Sequence, residues 1–407
     1  MLRMSGRHLL VLVSMCGLIA SGIGLVTNVS GLFFSPIAEE FGILKGSASL
    51  MLTICNISLA FGGMMVARVL SERTLRPMLI GATAALACST AALSLCTGIV
   101  PMYALCVVRG LSAGFFTFVF VTTVLNGWFV SSIGLATSIA MGCSGLAGAL
   151  FSPVINGVIT SMGWRTGFVV LGALTVALNL PAILFLPSVD PRSAGLTAFG
   201  SEDAAADATP AQDDQAGAAA PINLVVMVAV IVYALFGSAA TALPQHFPGI
   251  AEHYALDAAV GASMLSFCMI ANTGGKVALG ALIDRLGTKV SVVLYTILIA
   301  IGTAMMLVMR APQALVVAAA LFGLCYSLAT VGISMVTRDA FGLANYGRTY
   351  PTISLVGNMA NAVFSSVVGF MYDFSGGYAL ALVMFLAMLA GIVAVVMFVY
   401  GRRPQGA

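Results

Sequence analysis

The chain has 407 residues, of which 60% are hydrophobic and only 8% are charged, and its formal net charge is +3. A soluble globular protein carries roughly 25% charged residues, so we expect lipid to be the main solvent of this chain. A net charge this small gives no reason to expect a nucleic-acid partner. The eight cysteines lie inside apolar segments without a CxxC pair, which indicates packing residues and predicts neither a metal site nor a cofactor.

Twelve apolar segments are long enough to cross a membrane, which takes about 20 residues in a helix. We number them span 1 to span 12. In chain order they cover residues 9–34, 47–67, 77–97, 101–125, 134–160, 166–187, 222–247, 259–283, 288–309, 313–336, 350–372 and 378–400. The short basic N-terminus before span 1 has no clear cleavage site, so we expect span 1 to be retained and not removed as a signal peptide.

A polar stretch separates span 6 from span 7. Its sequence AFGSEDAAADATPAQDDQAGAAAP is rich in Ala, Asp and Gly and contains no large apolar residue after Phe199, a composition typical of disorder. We therefore predict an N-terminal six-helix bundle in residues 1–187, a disordered cytoplasmic linker in 188–221 and a C-terminal six-helix bundle in 222–407.

The basic residues predict the orientation of the spans. With the N-terminus inside, twelve Lys and Arg residues are cytoplasmic, and only Lys45, Arg165 and Arg310 are external. Because cytoplasmic loops carry the excess of Lys and Arg, both termini are predicted in the cytoplasm. The short loops suit a multi-pass protein of a bacterial inner membrane.

The two halves of the chain resemble each other at a shift of 213 residues. IAEEF (37–41) matches IAEHY (250–254), and SGLAGALFS (144–152) matches GNMANAVFS (357–365). These matches follow one another in equivalent spans, which indicates duplicated halves of six helices. Transporters built in this way bind their substrate near the middle of the membrane.

Three motifs resemble those of the major facilitator superfamily. GALIDRLGTK (280–289) looks like its loop motif between the second and third helices of each half, although in the first-half copy Ala67 replaces the acid. Arg109 resembles part of its fourth-helix motif, and GLAGALFSP (145–153) resembles its fifth-helix motif. The resemblance implies an all-α membrane protein with twelve transmembrane helices in two pseudo-symmetric six-helix bundles. It also implies gating or conformational roles for Gly280, Asp284, Arg285, Gly287, Gly148 and Pro153.

A narrower resemblance is to the oxalate/formate antiporter and monocarboxylate transporter branch. It rests on FFSPIAEEFG (33–42), NGWF (126–129), GWR (163–165) and N-x-x-G-K-x-x-x-G (272–280). In that branch the eighth helix carries Asn or Asp one turn before an Arg that is implicated in binding the substrate carboxylate. Here those positions hold Asn272 and Lys276. The lysine is a departure, because an ammonium is a point charge and not a planar fork.

The branch's oxalate transporter also uses a lysine in its eleventh helix. Span 11 of this chain has no lysine around Val356. Oxalate is therefore disfavoured as the substrate, while a small organic anion stays plausible.

Lys276 is the most informative residue in the spans. It precedes Asp284 by eight residues, which places it about 12 Å deep in a hydrocarbon core of roughly 30 Å. All fourteen acidic residues fall in loops or at helix ends, and a buried cation without an anion is costly. We infer that the substrate supplies the anion. The alternative is a snorkelling or structurally paired lysine.

Five further residues are candidates for substrate binding, and four of them have a structural alternative. Asn272 shares a helix face with Lys276 but could instead join helices. Arg109 could bond backbone carbonyls, and His246 could be a histidine at a surface hinge. Tyr326 could donate a phenolic hydrogen bond or only pack. Asn28 is a further polar position in span 1.

These features predict a secondary active transporter of a small organic anion, with a monocarboxylate favoured, that works by alternating access. Proton symport and anion exchange both remain open. An enzyme is not expected, because HExxH is absent from the spans and GxxxxGK[ST] is absent altogether. The alternative is a proton-coupled efflux antiporter for drugs or metabolites, which is expected to show an acid within the membrane.

The expected partners are a small carboxylate, protons in the case of symport, and the lipid bilayer. The expected oligomeric state is a monomer.

Overall fold

The computed structural model describes residues 6–129, 133–199 and 222–401. Ten helical stretches in this part of the chain are long and apolar enough to cross a membrane. The other regular feature is an isolated parallel bridge between Phe129 and Phe199. The all-α fold class is confirmed.

The chain forms two units, which we describe separately. The first comprises residues 1–42 and 50–211, and the second comprises 43–49 and 212–407. The boundary at 211/212 lies inside the predicted linker. Residues 43–49, which include the start of span 2, group with the second unit, and the sequence did not predict this.

Spans 1 to 6 are helical but not uniformly so. Span 1 combines α-helix Gly6–Ile19, π-helix Ala20–Asn28, 3-10 helix Ser30–Phe33 and α-helix Phe34–Phe41. Span 2 is Lys45–Val69, span 3 is Leu75–Ala92 with the 3-10 turn Leu93–Leu95, and span 4 is Ile99–Gly114 and Phe118–Trp128. Spans 5 and 6 share the helix Ile133–Phe185, which is kinked at Gly163.

Spans 7 to 12 repeat this pattern. Span 7 is Leu224–Ala240, the 3-10 turn Leu243–His246 and Phe247–His253. Spans 8 and 9 share Ala258–Val308, kinked at Gly287. Span 10 combines the α-helices Pro312–Gly323 and Cys325–Ser327, the π-helix Leu328–Gly332 and the start of the helix Ile333–Ser375. Span 11 is the rest of Ile333–Ser375, beyond its kink at Gly342. Span 12 is Ala379–Gly401.

The kinks at Gly163 and Gly287 reverse the chain. The Tyr295 hydroxyl donates to the Gly275 carbonyl at 2.9 Å, although a straight helix would separate these residues by about 30 Å. Both glycines adopt positive φ, at 82° and 78°, which costs glycine little. Each long helix is therefore a hairpin of two spans.

The hairpin of spans 5 and 6 is equally clear. Both arms contact span 1: Asn28 donates to the Ser144 carbonyl at 2.9 Å, and Ser21 donates to the amide oxygen of Asn179. In a straight helix, residues 144 and 179 would lie about 50 Å apart. Counting both hairpins, the described residues contain the twelve predicted spans.

The first part of the linker is folded onto the first unit. We call residues 188–199 the linker clasp. Glu72 accepts hydrogen bonds from the backbone of Val189 (3.1 Å) and Asp190 (2.9 Å) and from the Ser193 hydroxyl (2.9 Å). This differs from the disorder predicted here, because composition alone records neither the 3-10 turn at Pro191–Ala194 nor a carboxylate partner on another span. The remaining linker residues, 200–221, lie outside the described residues.

Aromatic residues and a histidine also hold the linker clasp. The Trp128 indole donates to the Ser188 carbonyl at 3.2 Å, and the Phe199 amide donates to the Trp128 carbonyl at 2.9 Å. His8 lies 3.2 Å from the Thr197 carbonyl and edge-on to the Trp128 ring. The start of span 1 and the end of span 4 therefore both bind the segment that follows span 6.

Replacing Glu72 by alanine is expected to release the linker clasp, because three donors lose a charged acceptor. Hydrogen bonds to charged groups contribute about 1.5–3 kcal/mol each, so amide exchange at residues 189 and 190 should become at least about tenfold faster. Hydrogen–deuterium exchange in detergent measures this. Glu39→Ala, at an exposed carboxylate of span 1, is the matched control. Equal exchange in both variants would contradict the assignment.

Candidate functional site

The candidate site lies inside the second unit, where span 8 packs against span 10. Cys268, Asn272, Gly275 and Leu279 are buried and follow one another at intervals of four, three and four residues, which places them on one helix face. A Cβ atom on Gly323 of span 10 would lie 2.3 Å from the Cys268 carbonyl oxygen. The two backbones are therefore in direct contact at this level.

Span 10 is irregular where it faces this surface. Its α-helix ends at Gly323, one further helical turn follows at Cys325–Ser327, and a π-helix follows at Leu328–Gly332. Such π segments interrupt helices frequently at functional sites. The irregular stretch presents Cys325, Tyr326 and Ser327 to the site.

Lys276 is half-buried on span 8. The two ion pairs found among the described residues are Lys45–Glu252 and Arg165–Glu40. Within that part of the chain, Lys276 has no ion pair or hydrogen bond.

Asn272 is 3% exposed, one helical turn before Lys276. Its amide nitrogen lies 3.8 Å from the thioether of Met269, and its side-chain oxygen has no hydrogen-bond partner among the described residues. Buried polar atoms are nearly always hydrogen-bonded. Asn272 therefore offers an unused acceptor beside the unpaired cation.

A neutral polar network joins spans 7, 10 and 11. The Tyr326 hydroxyl donates to the Thr241 carbonyl at 3.3 Å, and the Asn361 amide donates to the Thr241 hydroxyl at 2.6 Å. Thr241 lies where span 7 changes from α-helix to 3-10 turn. Sequence reasoning missed Thr241 and Ser327; the proline at 244 was the available signal for a break near Thr241.

His246 is buried and lies 2.8 Å from the Ser365 carbonyl of span 11, with its ring 6.0 Å from that of Tyr378. These contacts tie span 7 to the chain around span 11. The burial of His246 differs from the surface position of the structural alternative, and its contact with substrate stays a prediction.

The first unit holds the other predicted cation. Arg109 is 3% exposed and donates to the Leu25 carbonyl at 3.4 Å, while its Nε atom has no partner among the described residues. It lines a small cavity with Ser30 and the rings of Phe33, Phe34 and Phe168. The contact with Leu25 matches the backbone-bonding alternative.

Asn28 ends the π-helix of span 1 and donates to the Ser144 carbonyl of span 5. This contact joins two helices. Asn28 therefore contributes to the packing of the first unit, whereas Lys276 belongs to the second unit.

The residues of the superfamily motifs lie at bends and helix contacts. Asp284 and Arg285 are exposed just before the turn at Gly287, and Gly280 is half-buried with open space beside it. Gly148 is buried and its carbonyl accepts from Ser152 at 2.6 Å, next to Pro153. These positions suit the implied conformational roles, which stay predictions.

Two segments quoted for the narrower resemblance meet at the end of span 1. Glu40 accepts a hydrogen bond from the Trp164 indole at 2.6 Å and pairs with Arg165. The same arginine lies over the Trp164 ring, 4.3 Å from its centroid. FFSPIAEEFG and GWR thus form one structural corner of the first unit.

No group of three or more His, Cys, Asp or Glu side chains capable of holding a metal ion occurs within residues 6–129, 133–199 and 222–401. Twelve apolar spans in two units, with a cation among small and neutral polar residues of one span, are the features of a membrane transport protein.

The chain belongs to the Major Facilitator Superfamily, whose sequence profile matches residues 15–312 and 225–407. It is therefore a secondary transporter. No curated protein sequence matches the chain.

Solved structures share the fold at low sequence identity. A D-xylose-proton symporter has a TM-score of 0.72 at 13% identity, covering 98% of each chain. A point mutant of the nucleoside transporter NupG has a TM-score of 0.69 at 13% identity, covering 96% of this chain and 100% of the other. A bacterial homolog of the human lysosomal transporter Spinster has a TM-score of 0.66 at 13% identity, covering 99% and 100%. Similarity at this level concerns the fold alone.

Proposed function

We propose that the protein transports a small organic anion, with a monocarboxylate favoured, and that Lys276 binds the substrate carboxylate. The observation that carries the proposal is the ammonium of Lys276, which lies within a membrane span and has no ion pair among the described residues. Ionisable residues inside membrane spans are rare and mark substrate or ion pathways. A carboxylate of the substrate neutralises this charge when it binds.

Neighbouring residues support an anion at this position. Tyr326 and Ser327 carry hydroxyl groups on the irregular part of span 10, and the Cβ of an alanine at Gly275 would lie 2.9 Å from the Ser327 oxygen. A glycine here lets Leu324 and Ser327 of span 10 approach span 8 closely at the residue before Lys276. Arg109 would act in the first unit, either as a second binding residue or through its contact with the backbone of span 1.

The alternative function is proton-coupled efflux of drugs or metabolites. Such an antiporter commonly needs an acid within the membrane to carry the proton. Among the described residues no Asp or Glu accompanies Lys276 or Arg109 in an ion pair. This favours anion transport over cation efflux.

Uptake into proteoliposomes tests the proposal and separates the transport modes. Labelled monocarboxylates and dicarboxylates are offered with an imposed pH gradient, with and without anion inside. Uptake that needs internal anion indicates exchange, and uptake that follows the proton gradient indicates symport. If no carboxylate enters while a lipophilic cation is exchanged for protons, the efflux function is correct instead.

We further propose that both termini are cytoplasmic, in a bacterial inner membrane, and that the protein acts as a monomer. The excess of Lys and Arg on one side supports the orientation. Labelling of single cysteines introduced near residues 45 and 289 with an impermeant reagent checks it, because only the former should react from outside.

A further inference from the structure

We propose that the first unit holds a binding site for a monatomic anion, with chloride the expected ion, beside the guanidinium of Arg109. The site is separate from Lys276, which belongs to the second unit. The inference goes beyond the proposed function, because it does not depend on which substrate Lys276 binds.

The first argument is the uncompensated charge of Arg109. The side chain is 3% exposed, and its Nε atom has no hydrogen-bond partner among the described residues. Its terminal Nη2 atom donates to the Leu25 carbonyl at the long distance of 3.4 Å. A carbonyl has no net charge, and neither ion pair of the described residues includes Arg109. Burying a charge without a counter-ion is costly, so an anion bound here would stabilise the unit.

The second argument is the cavity beside this side chain. Residues of spans 1, 2 and 6 line it together with Arg109 of span 4, and all of them are buried. The other lining residues are Ser30, Phe33, Phe34, Met51, Leu52 and Phe168. None of these described residues is acidic. Arg109 therefore borders an internal space to which the lining residues contribute no negative charge.

The third argument is the size of the cavity. It leaves about 10 Å³ for the centre of a water-sized sphere, which is roughly what one water molecule needs. A monatomic anion is of similar size, whereas a carboxylate group has several non-hydrogen atoms and would have to displace the rings around it. A water molecule would also fit, but it would leave the charge of Arg109 uncompensated.

The lining of the cavity favours chloride or bromide among the monatomic anions. The rings of Phe33 and Phe168 stack with their centroids 4.1 Å apart, and the edges of such rings carry partial positive charge. The Ser30 hydroxyl already donates to the Val26 carbonyl at 2.5 Å, which leaves Arg109 as the donor to the ion. With so few donors, fluoride would recover too little of its strong hydration.

Melting temperatures of the purified full chain in chloride, bromide and methanesulfonate, at equal ionic strength, test the proposal. Methanesulfonate is too large for the cavity. Chloride and bromide are expected to raise the melting temperature above its value in methanesulfonate by about 2 °C or more, once they exceed the dissociation constant about tenfold. Arg109→Gln should abolish this difference. Arg76→Gln makes the same change at an exposed arginine of the first unit, and both it and Lys276→Gln should keep the difference.

Anomalous diffraction from wild-type crystals soaked in bromide locates the ion, and it decides the question if Arg109→Gln does not fold. A bromide peak within hydrogen-bond distance of the Arg109 guanidinium supports the site. Density there without a bromide signal would identify a water molecule, and the inference would be wrong.

Two further outcomes separate this site from the proposed function. If the halide effect persists in Arg109→Gln and disappears in Lys276→Gln, the halide binds at Lys276, and the inference is wrong although an anion site in span 8 is supported. If no carboxylate is taken up into proteoliposomes while bromide is found at Arg109, the proposed function is wrong and the inference is correct.

Discussion

Replacing Lys276 by glutamine is expected to reduce carboxylate transport by at least about 100-fold. The change removes the positive charge but keeps a polar side chain of similar length. A desolvated charge pair contributes several kcal/mol when one partner is lost, and about 2.7 kcal/mol corresponds to 100-fold. Initial uptake rates in proteoliposomes and thermal stabilisation by the carboxylate both measure the effect.

Two further variants sharpen this prediction. Lys276→Arg keeps the charge and should keep part of the transport, because a guanidinium also binds carboxylates. Lys289→Gln makes the same chemical change at the start of span 9, just beyond the turn at Gly287, and should transport like wild type. Full activity in Lys276→Gln would show that this lysine is structural, and the substrate class would be open again.

Replacing Gly323 by alanine is expected to destabilise the second unit and to impair transport more than tenfold. The new Cβ atom would lie 2.3 Å from the Cys268 carbonyl oxygen, and a backbone atom cannot move aside as a flexible side chain can. Overpacking typically costs about 1–3 kcal/mol, which should lower the melting temperature by about 5 °C. Separating spans 8 and 10 also displaces Ser327 from Gly275, the residue before Lys276.

The matched control for this variant is Gly274→Ala on the facing span. No atom lies within 4 Å of the Cβ that it would add, and alanine favours a helix over glycine by about 1 kcal/mol. This variant should melt at the same temperature as wild type or higher. Similar losses in both variants would mean that glycine flexibility, and not the close contact, is what matters.

Much of the fold could be predicted from the sequence. Span length and charge placement define the spans, because a bilayer imposes one length and one composition on every crossing. The neighbourhood of Lys276 and Asn272 could also be predicted, because residues four apart share a helix face.

The partners of these residues could not be predicted. Ser327 and Thr241 reach the polar interior because spans 10 and 7 depart from regular α-helix near them, and hydropathy does not distinguish α from π or 3-10 geometry. The linker clasp was missed because it depends on one acceptor, Glu72, that is more than a hundred residues away in sequence.

The turn at Gly287 has a mechanical consequence. Spans 8 and 9 are joined through one residue in a left-handed backbone conformation, and Tyr295 fastens span 9 to the carbonyl of the residue before Lys276. Because the connection is only one residue long, we expect that span 8 cannot tilt or slide without moving span 9. The two spans are therefore expected to move together, so that a displacement of span 8 at Lys276 is transmitted to span 9.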